Sequence, residues 1–301
     1  MTRPATSVLI VNPRSGGGKV ARFDLVAQCR ARNIEPVVFE PGDDLTTLAT
    51  AAVRDGADAL GMAGGDGSQA AVAAVAAEHG LHYVCVPAGT RNHFAFDLGI
   101  DRSDLVGALD AFVDGDERRI DLGRVNRRVF VNNVAMGVYG AVVESPAYRD
   151  HKVRTMIDTL PELVGPGAEP FDLRFTGGDG GAHDTAVLLL VSNNPYTVDP
   201  RPQHGTRGQL DRGLLGVIAL TGPPPRGGEE WAAATCRVDS ATTVALGIDG
   251  ESVSMSPPLL FESDPLALRV RLPVGRARQR PSRVGRAGAA KGRLALPDHR
   301  S

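Results

Sequence analysis

Cysteine is scarce in this chain and lysine is scarcer. Cys29, Cys85 and Cys236 are odd in number, widely spaced and set in apolar segments. They read as buried thiols and exclude a disulfide framework or a cysteine zinc site. Lysine occurs only at positions 19, 152 and 291, against 30 arginines, a compositional bias without functional weight. No apolar run approaches the roughly 18 residues of a spanning helix, and the four apolar residues 8–11 are too few for a signal-peptide core. The compartment expected is the cytoplasm, with peripheral contact to the inner membrane face left open.

What is present is ordinary in amount and uneven in place. Hydrophobic residues make up 42% and charged residues 23% of the 301, which excludes wholesale disorder and suggests two domains. The net charge of −2 averages two unlike parts: residues 275–301 carry eight Lys/Arg and one acid, whereas residues 1–274 carry 25 bases and 34 acids. Up to about residue 121, short apolar runs (8–12, 34–39, 59–63, 83–87) alternate with helical patterns (20–32, 43 or 44–55, 69–78, 101 or 103–113). That alternation predicts an α/β domain, a parallel sheet with helices on both faces, over residues 1–122. Beyond it, β-type runs at 127–133, 171–175, 186–192, 214–220, 242–248 and 266–272 predict an antiparallel, sandwich-like β-rich domain over 123–274. Helical patterns there are few, at 147–164 and 229–237, and the last β segment is expected to pack back on the first domain. The Arg-, Gly- and Ala-rich stretch 275–301 reads as a disordered basic tail.

The glycines cluster. Asn12-Pro13-Arg14-Ser15-Gly16-Gly17-Gly18-Lys19 follows the first strand, and Gly64-Gly65-Asp66-Gly67-Ser68 follows the third; each opens a helix. Pro87-Ala88-Gly89-Thr90-Arg91-Asn92 follows the fourth strand. Glycine lets backbone approach a ligand, and helix-opening N–H groups favour phosphate. In a parallel sheet all three loops share the carboxyl edge, where ligands bind. A Walker-type loop would need Gly at 13 and Ser/Thr at 20, where Pro13 and Val20 stand. A second Gly-Gly-Asp-Gly, residues 177–180, lies between β-type runs with nothing helical after it and reads as a hairpin turn.

Carboxylates supply the remaining chemistry. On a strand, Asp249 and Glu251 would share a face, with Gly250 leaving room beside them, a suitable place for a base acting on a hydroxyl. The plainer alternative is an Asp-Gly turn followed by a solvated Glu. Asp66, beside a phosphate loop, is repelled unless a cation intervenes, and so is a candidate to orient Mg²⁺ directly or through water.

These blocks, together with Pro87-x-Gly89-Thr90-x-Asn92-x-Phe94-Ala95-x-x-Leu98-Gly99 and the late Asp249-Gly250-Glu251, resemble the diacylglycerol kinase catalytic-domain family. That family includes bacterial lipid kinases and sphingosine kinases and is distantly similar to NAD kinase. The resemblance runs over about residues 7–272. It implies ATP in a cleft between two domains, bound by Asn12, Pro13, Arg14, Ser15, Gly16, Gly65, Asp66, Gly67, Ser68, Thr90 and Asn92. It also implies Mg²⁺ near Asp66, a general base at the Asp249/Glu251 pair (Glu251 foremost), and a lipid hydroxyl acceptor at a membrane surface. A homodimer is a further expectation. The chain departs from the family pattern at Arg91-Asn92-His93 and at Glu40-Pro41. It departs again where a structural Mg²⁺ loop reads Asp211-Arg212-Gly213-Leu214-Leu215-Gly216. Only Asp211 is left to serve that metal, and its absence is expected.

Two competing readings are a soluble NAD-kinase-like enzyme, disfavoured by the Asn-Pro-Arg-Ser-Gly and Gly-Thr-Arg-Asn blocks, and a non-catalytic nucleotide-binding regulator. Retention of Asp249 and Glu251 argues against the regulator. The tail lacks aromatics for base stacking, so no specific nucleic-acid partner is expected.

Overall fold

The computed structural model describes residues 6–138, 169–197, 207–222 and 228–274. The predicted helix over 147–164 and the tail lie outside the described residues. Contacts divide the chain into two compact units. One comprises the residues up to Leu122 together with the stretch that begins at Asp264, and the other is Gly123–Ser263.

The first unit is built on β1 (Ser7–Val11), β2 (Ile34–Val38), β3 (Ala59–Ala63) and β4 (His82–Val86), paired in parallel in the order β2-β1-β3-β4. β3 is buried along its length, which explains its unbroken apolar run. Between the strands lie α1 (Lys19–Arg22), α2 (Leu25–Arg30), α3 (Leu45–Arg54) and α4 (Asp66–Glu78). The single helix expected over 20–32 is two. Asp24 sits at φ 44°, outside helical geometry, and splits it. The Asp44 carboxylate caps α3 by accepting from the Thr47 N–H at 2.7 Å. Three short helices follow β4: α5 (His93–Asp97), α6 (Leu105–Ala108) and α7 (Asp110–Val113). α5 has no counterpart among the sequence expectations.

The chain then runs through β5 (Gly115–Val125), whose last three residues pair with β6 (Arg128–Phe130) in the second unit. The other shared strand is β16 (Leu259–Pro273). Its end pairs parallel with β4, Arg269 opposite His82, and lies between β4 and β5 in the sheet order. A charged cluster fastens this junction. Arg269 grips Glu117 with two bonds of 3.0 and 2.8 Å, and His82 Nε2 lies 2.9 Å from the same carboxylate. Those bonds lower the Glu117 pKa to about 2.

The second unit carries a six-stranded antiparallel sheet in the order β12-β11-β10-β7-β14-β15. Its strands are β7 (Asn133–Gly137), β10 (Leu188–Asn193), β11 (Leu215–Leu220), β12 (Gly228–Ala233), β14 (Val244–Ile248) and β15 (Glu251–Met255). β8 (Phe171–Thr176) and β9 (Ala182–Ala186) form a separate hairpin, and β13 (Thr235–Val238) pairs with the start of β16. One core of Val, Leu, Ile and Phe side chains, from Val125 to Phe261, underlies these strands. The predicted helix over 229–237 is therefore wrong: that stretch is β12 and β13. Its Glu-Glu-Trp-Ala-Ala-Ala sequence suits a helix, but pairing to β11 and β16 wins, and alternate residues of β12 are half-buried and exposed.

Candidate active site

Parallel pairing brings the three glycine loops to one edge, and their backbones interlock. The Asn12 N–H donates to the Ala63 carbonyl at 3.0 Å, and the Gly89 N–H donates to the Gly64 carbonyl at 3.0 Å. Lys19 Nζ donates to the Gly89 carbonyl at 3.1 Å. Gly16 has φ 60°, and a Cβ there would overlap the Ala88 carbonyl oxygen. At Gly89 a Cβ would stand 2.6 Å from Gly65 Cα and 2.7 Å from Asn92 Oδ1. These two glycines are required because other backbone occupies the place of a side chain.

Gly65 differs. Nothing lies within 4 Å of a Cβ built there, so that face of it is open, although its Cα packs on Gly89. It precedes α4, whose first turn has no side-chain cap, and the amides of Asp66, Gly67 and Ser68 open that helix. Uncapped amides at the start of a 13-residue helix are an anion-binding arrangement. Around them, Asn12 Oδ1 accepts from the Arg14 N–H at 3.0 Å, and Pro13, Ser15 and Ser68 are half-buried. Arg14 and Thr90 are exposed.

Asp66 has a positioning role that its sequence context did not reveal. Its two carboxylate oxygens accept from the His93 and Phe94 N–H groups, at 3.1 and 3.0 Å. The second loop thereby caps α5 and holds the third loop in place. One half-buried carboxylate with each oxygen already accepting one bond fits Mg²⁺ only as a single or water-mediated contact. The remaining positions of an octahedral ion would fall to phosphate and water. Asn92, which is buried, ties its own turn by donating to the Pro87 and Gly89 carbonyls at 2.9 and 3.0 Å.

A further organiser, Gln69, was missed in the sequence. Buried in α4, its amide nitrogen donates to the Met62, Gly64 and Val86 carbonyls at 3.0, 3.2 and 3.0 Å, and its Oε1 accepts from the Tyr83 hydroxyl. It joins the ends of β3 and β4 beneath the loops. Its only sequence signal was a Gln among alanines on a helix face otherwise apolar.

In the second unit, Asp249 and Glu251 do not continue a strand. Asp249 (φ 49°) and Gly250 (φ 87°) form a two-residue hairpin turn between β14 and β15, with Ile248 opposite Glu251. The shared-face argument from strand geometry fails there, because two successive left-handed residues break the alternation. Asp249 accepts from the N–H groups of Val131, Asn132 and Asn133 at 2.9, 2.8 and 3.1 Å. Glu251 is exposed and paired with Arg128 at 2.9 Å. Asp249 is thus an anchor, and Glu251 projects into solvent.

The opposite side of the 131–133 backbone is held by Arg207, which sequence reasoning also missed. Its guanidinium is buried and donates to the Val131, Asn132 and Asn193 carbonyls at 2.6, 3.1 and 3.0 Å, and to Asn132 Oδ1. Asp249 therefore takes the N–H groups of that segment and Arg207 the carbonyls. One arginine among 30 carries no sequence signal that it is buried. Asp211 is exposed and next to Arg212, whose N–H donates to Asn194 Oδ1 at 3.1 Å. No group of three or more His, Cys, Asp or Glu side chains able to hold a metal ion includes Asp211 among the described residues. No described helix is long and apolar enough to cross a membrane.

Comparison with known proteins agrees with this architecture. Residues 6–125 match the model of the diacylglycerol kinase catalytic domain. A diacylglycerol kinase of Mycobacterium tuberculosis is 35% identical over 199 residues, covering 62% of this chain and 64% of that protein. The matched region thus spans slightly less than two thirds of that relative. A protein of Pseudomonas aeruginosa named "probable lipid kinase YegS-like" is 29% identical over 297 residues, covering 89% of this chain and 94% of its own. The crystal structure of a diacylglycerol kinase from Bacillus anthracis superposes with a TM-score of 0.66 at 19% identity, covering 90% of this chain and 98% of that one; it supports the fold. The α/β half of this chain, with its three interlocked glycine loops, is thus the part that resembles the diacylglycerol kinase catalytic domain.

Proposed function

We propose that the chain is a lipid kinase that moves the γ-phosphoryl group of Mg²⁺-bound ATP to the hydroxyl of a lipid such as diacylglycerol. The observation that carries this reading is the interlocked loop edge, with an open face at Gly65 leading into the uncapped amides of α4. Those N–H groups bind the phosphates, and the loops after β1 and β4 orient them. Asp66 holds the third loop in register and offers Mg²⁺ one oxygen. Glu251, oriented by Arg128, takes the proton of the attacking lipid hydroxyl as the new P–O bond forms and the bond to ADP breaks. Asp249 fixes the turn from which Glu251 projects.

The test is transfer of labelled γ-phosphate from ATP to a panel of diacylglycerol, ceramide, sphingoid base, polyisoprenol and NAD. Lipid phosphorylation is expected, and Glu251→Gln should slow it by roughly 10²–10⁴-fold. Equal rates for the two proteins would remove Glu251 as the base, and phosphorylation of NAD alone would overturn the lipid reading.

A further inference from the structure

The hairpin β8–β9 carries a second cluster of chemically able side chains, unrelated to the phosphate loops. Asp179 lies in its turn, His183 stands on β9, and Glu229 stands on β12. One ligand atom from each lies within 4.8 Å of the others. Three-residue groups of this kind are common on protein surfaces, and Asp179 is exposed. Two independent features set this one apart.

The first is an imidazole nitrogen that is enclosed and without a hydrogen bond. His183 Nε2 is buried and has no hydrogen-bond partner. Its near neighbour, Glu229 Oε1, lies 3.4 Å away but is not aligned to accept. The ring is held flat against Phe175, centroids 4.9 Å apart, opposite which it pairs across the hairpin. The second feature is the close approach of glycine backbone to the ligand atoms. At Gly177 a Cβ would stand 2.6 Å from Glu229 Oε2 and 2.7 Å from His183 Nε2. Both atoms pack directly on Gly177, so no side chain fits beside them.

Asp179 completes the set. Its Oδ1 accepts from the Gly181 N–H at 2.7 Å and fixes the turn, which leaves Oδ2 to ligate. Two ligands about 2.1 Å from a tetrahedral ion lie about 3.4 Å apart, the separation already present between His183 and Glu229. One imidazole and two carboxylates suit a first-row divalent transition ion, whereas Mg²⁺ prefers oxygen ligands throughout.

We propose that Asp179, His183 and Glu229 bind a divalent transition ion of the Zn²⁺ class, linking the β8–β9 hairpin to β12. The site is separate from the kinase machinery, and its test does not depend on kinase activity.

The chain's one tryptophan is a built-in reporter. Trp231 follows Glu229 by two residues on β12 and stacks on Phe175 with centroids 6.2 Å apart. Chelator-treated full chain is titrated with Co²⁺ while Trp231 emission is followed. Saturable quenching is expected, reversed by Zn²⁺ and unaffected by excess Mg²⁺, with Zn²⁺ raising the Tm. His183→Gln should weaken Co²⁺ binding at least about tenfold. Gly177→Ala should do the same while keeping every ligand, since Gly177 has no positive φ to strain. If His183→Gln fails to fold, by circular dichroism, Glu229→Gln and Gly177→Ala decide. Absence of saturable quenching, or quenching unchanged in these variants, would overturn the site and leave His183 and Glu229 a simple ion pair.

Discussion

The tetrapeptide Gly-Gly-Asp-Gly occurs twice, at residues 64–67 and 177–180, and the two copies do opposite things. The first leaves a buried parallel strand and starts a helix, with its Asp side chain capping another. The second joins two antiparallel strands, with its Asp accepting from the N–H two residues on. Their glycines differ in the same way. Gly65 has open space where a Cβ would be, whereas at Gly178 a Cβ would lie 2.6 Å from Trp231 Cβ. Identical residues thus leave open space in one place and pack closely in the other, and the flanking elements decide which.

The sharpest way to break this comparison is at the aspartates. Asp66→Ala removes two charge-assisted hydrogen bonds, each worth about 1.5–3 kcal/mol. It should lower stability by about 2–4 kcal/mol and abolish most phosphoryl transfer, because α5 and the third loop lose their tether. Asp179→Ala, measured in chelator, should cost only about 0.5–1 kcal/mol, one exposed turn bond. Equal costs in urea denaturation would show that the two contexts are not distinct.

The glycines give a crossed result of intermediate size. Gly178→Ala should lose about 1–3 kcal/mol to overpacking against Trp231 and leave kinase kinetics alone. Gly65→Ala should leave the Tm nearly unchanged while raising the KM for ATP about tenfold, the equivalent of about 1.4 kcal/mol. An activity loss in Gly178→Ala without loss of stability would assign the ligand role to the wrong copy.

The smallest effect separates the surroundings of the two copies by pH. Glu117, which helps hold the sheet beneath the first copy, has its pKa lowered from 4.5 to about 2 by Arg269 and His82. A depressed carboxylate contributes stability that is fully present above pH 4.5 and is lost as pH falls toward 2. Because the group is partly exposed, the contribution is below about 1 kcal/mol. Glu117→Gln should flatten the fall in urea stability across that window by this amount. An unchanged pH profile in the variant would remove the contribution.

Much of this was legible because its physical causes are local. The apolar run 59–63 is a buried strand and reads as one. The first two glycine loops read as turns from a strand into a helix, because each stands between an apolar run and a helical pattern. The shared-face reading of Asp249 and Glu251 failed because two consecutive left-handed residues make a hairpin tip, the Asp-Gly turn that the spacing also offered. Residues 229–237 misled because helix-forming residues were placed beside two strands that needed partners. Gln69 and Arg207 stayed hidden for another reason: each acts on carbonyls brought together from distant segments, which only the folded chain assembles.

The position of β16 also governs how the molecule is made. Its end fills the slot between β4 and β5, yet about 140 residues of the second unit are synthesised in between. Until residue 273 has left the ribosome, β4 has an open edge, unpaired and buried only later, a template for wrong pairing. A fragment ending at residue 122 would keep that edge permanently, so a soluble first unit requires the strand supplied in trans or joined by circular permutation.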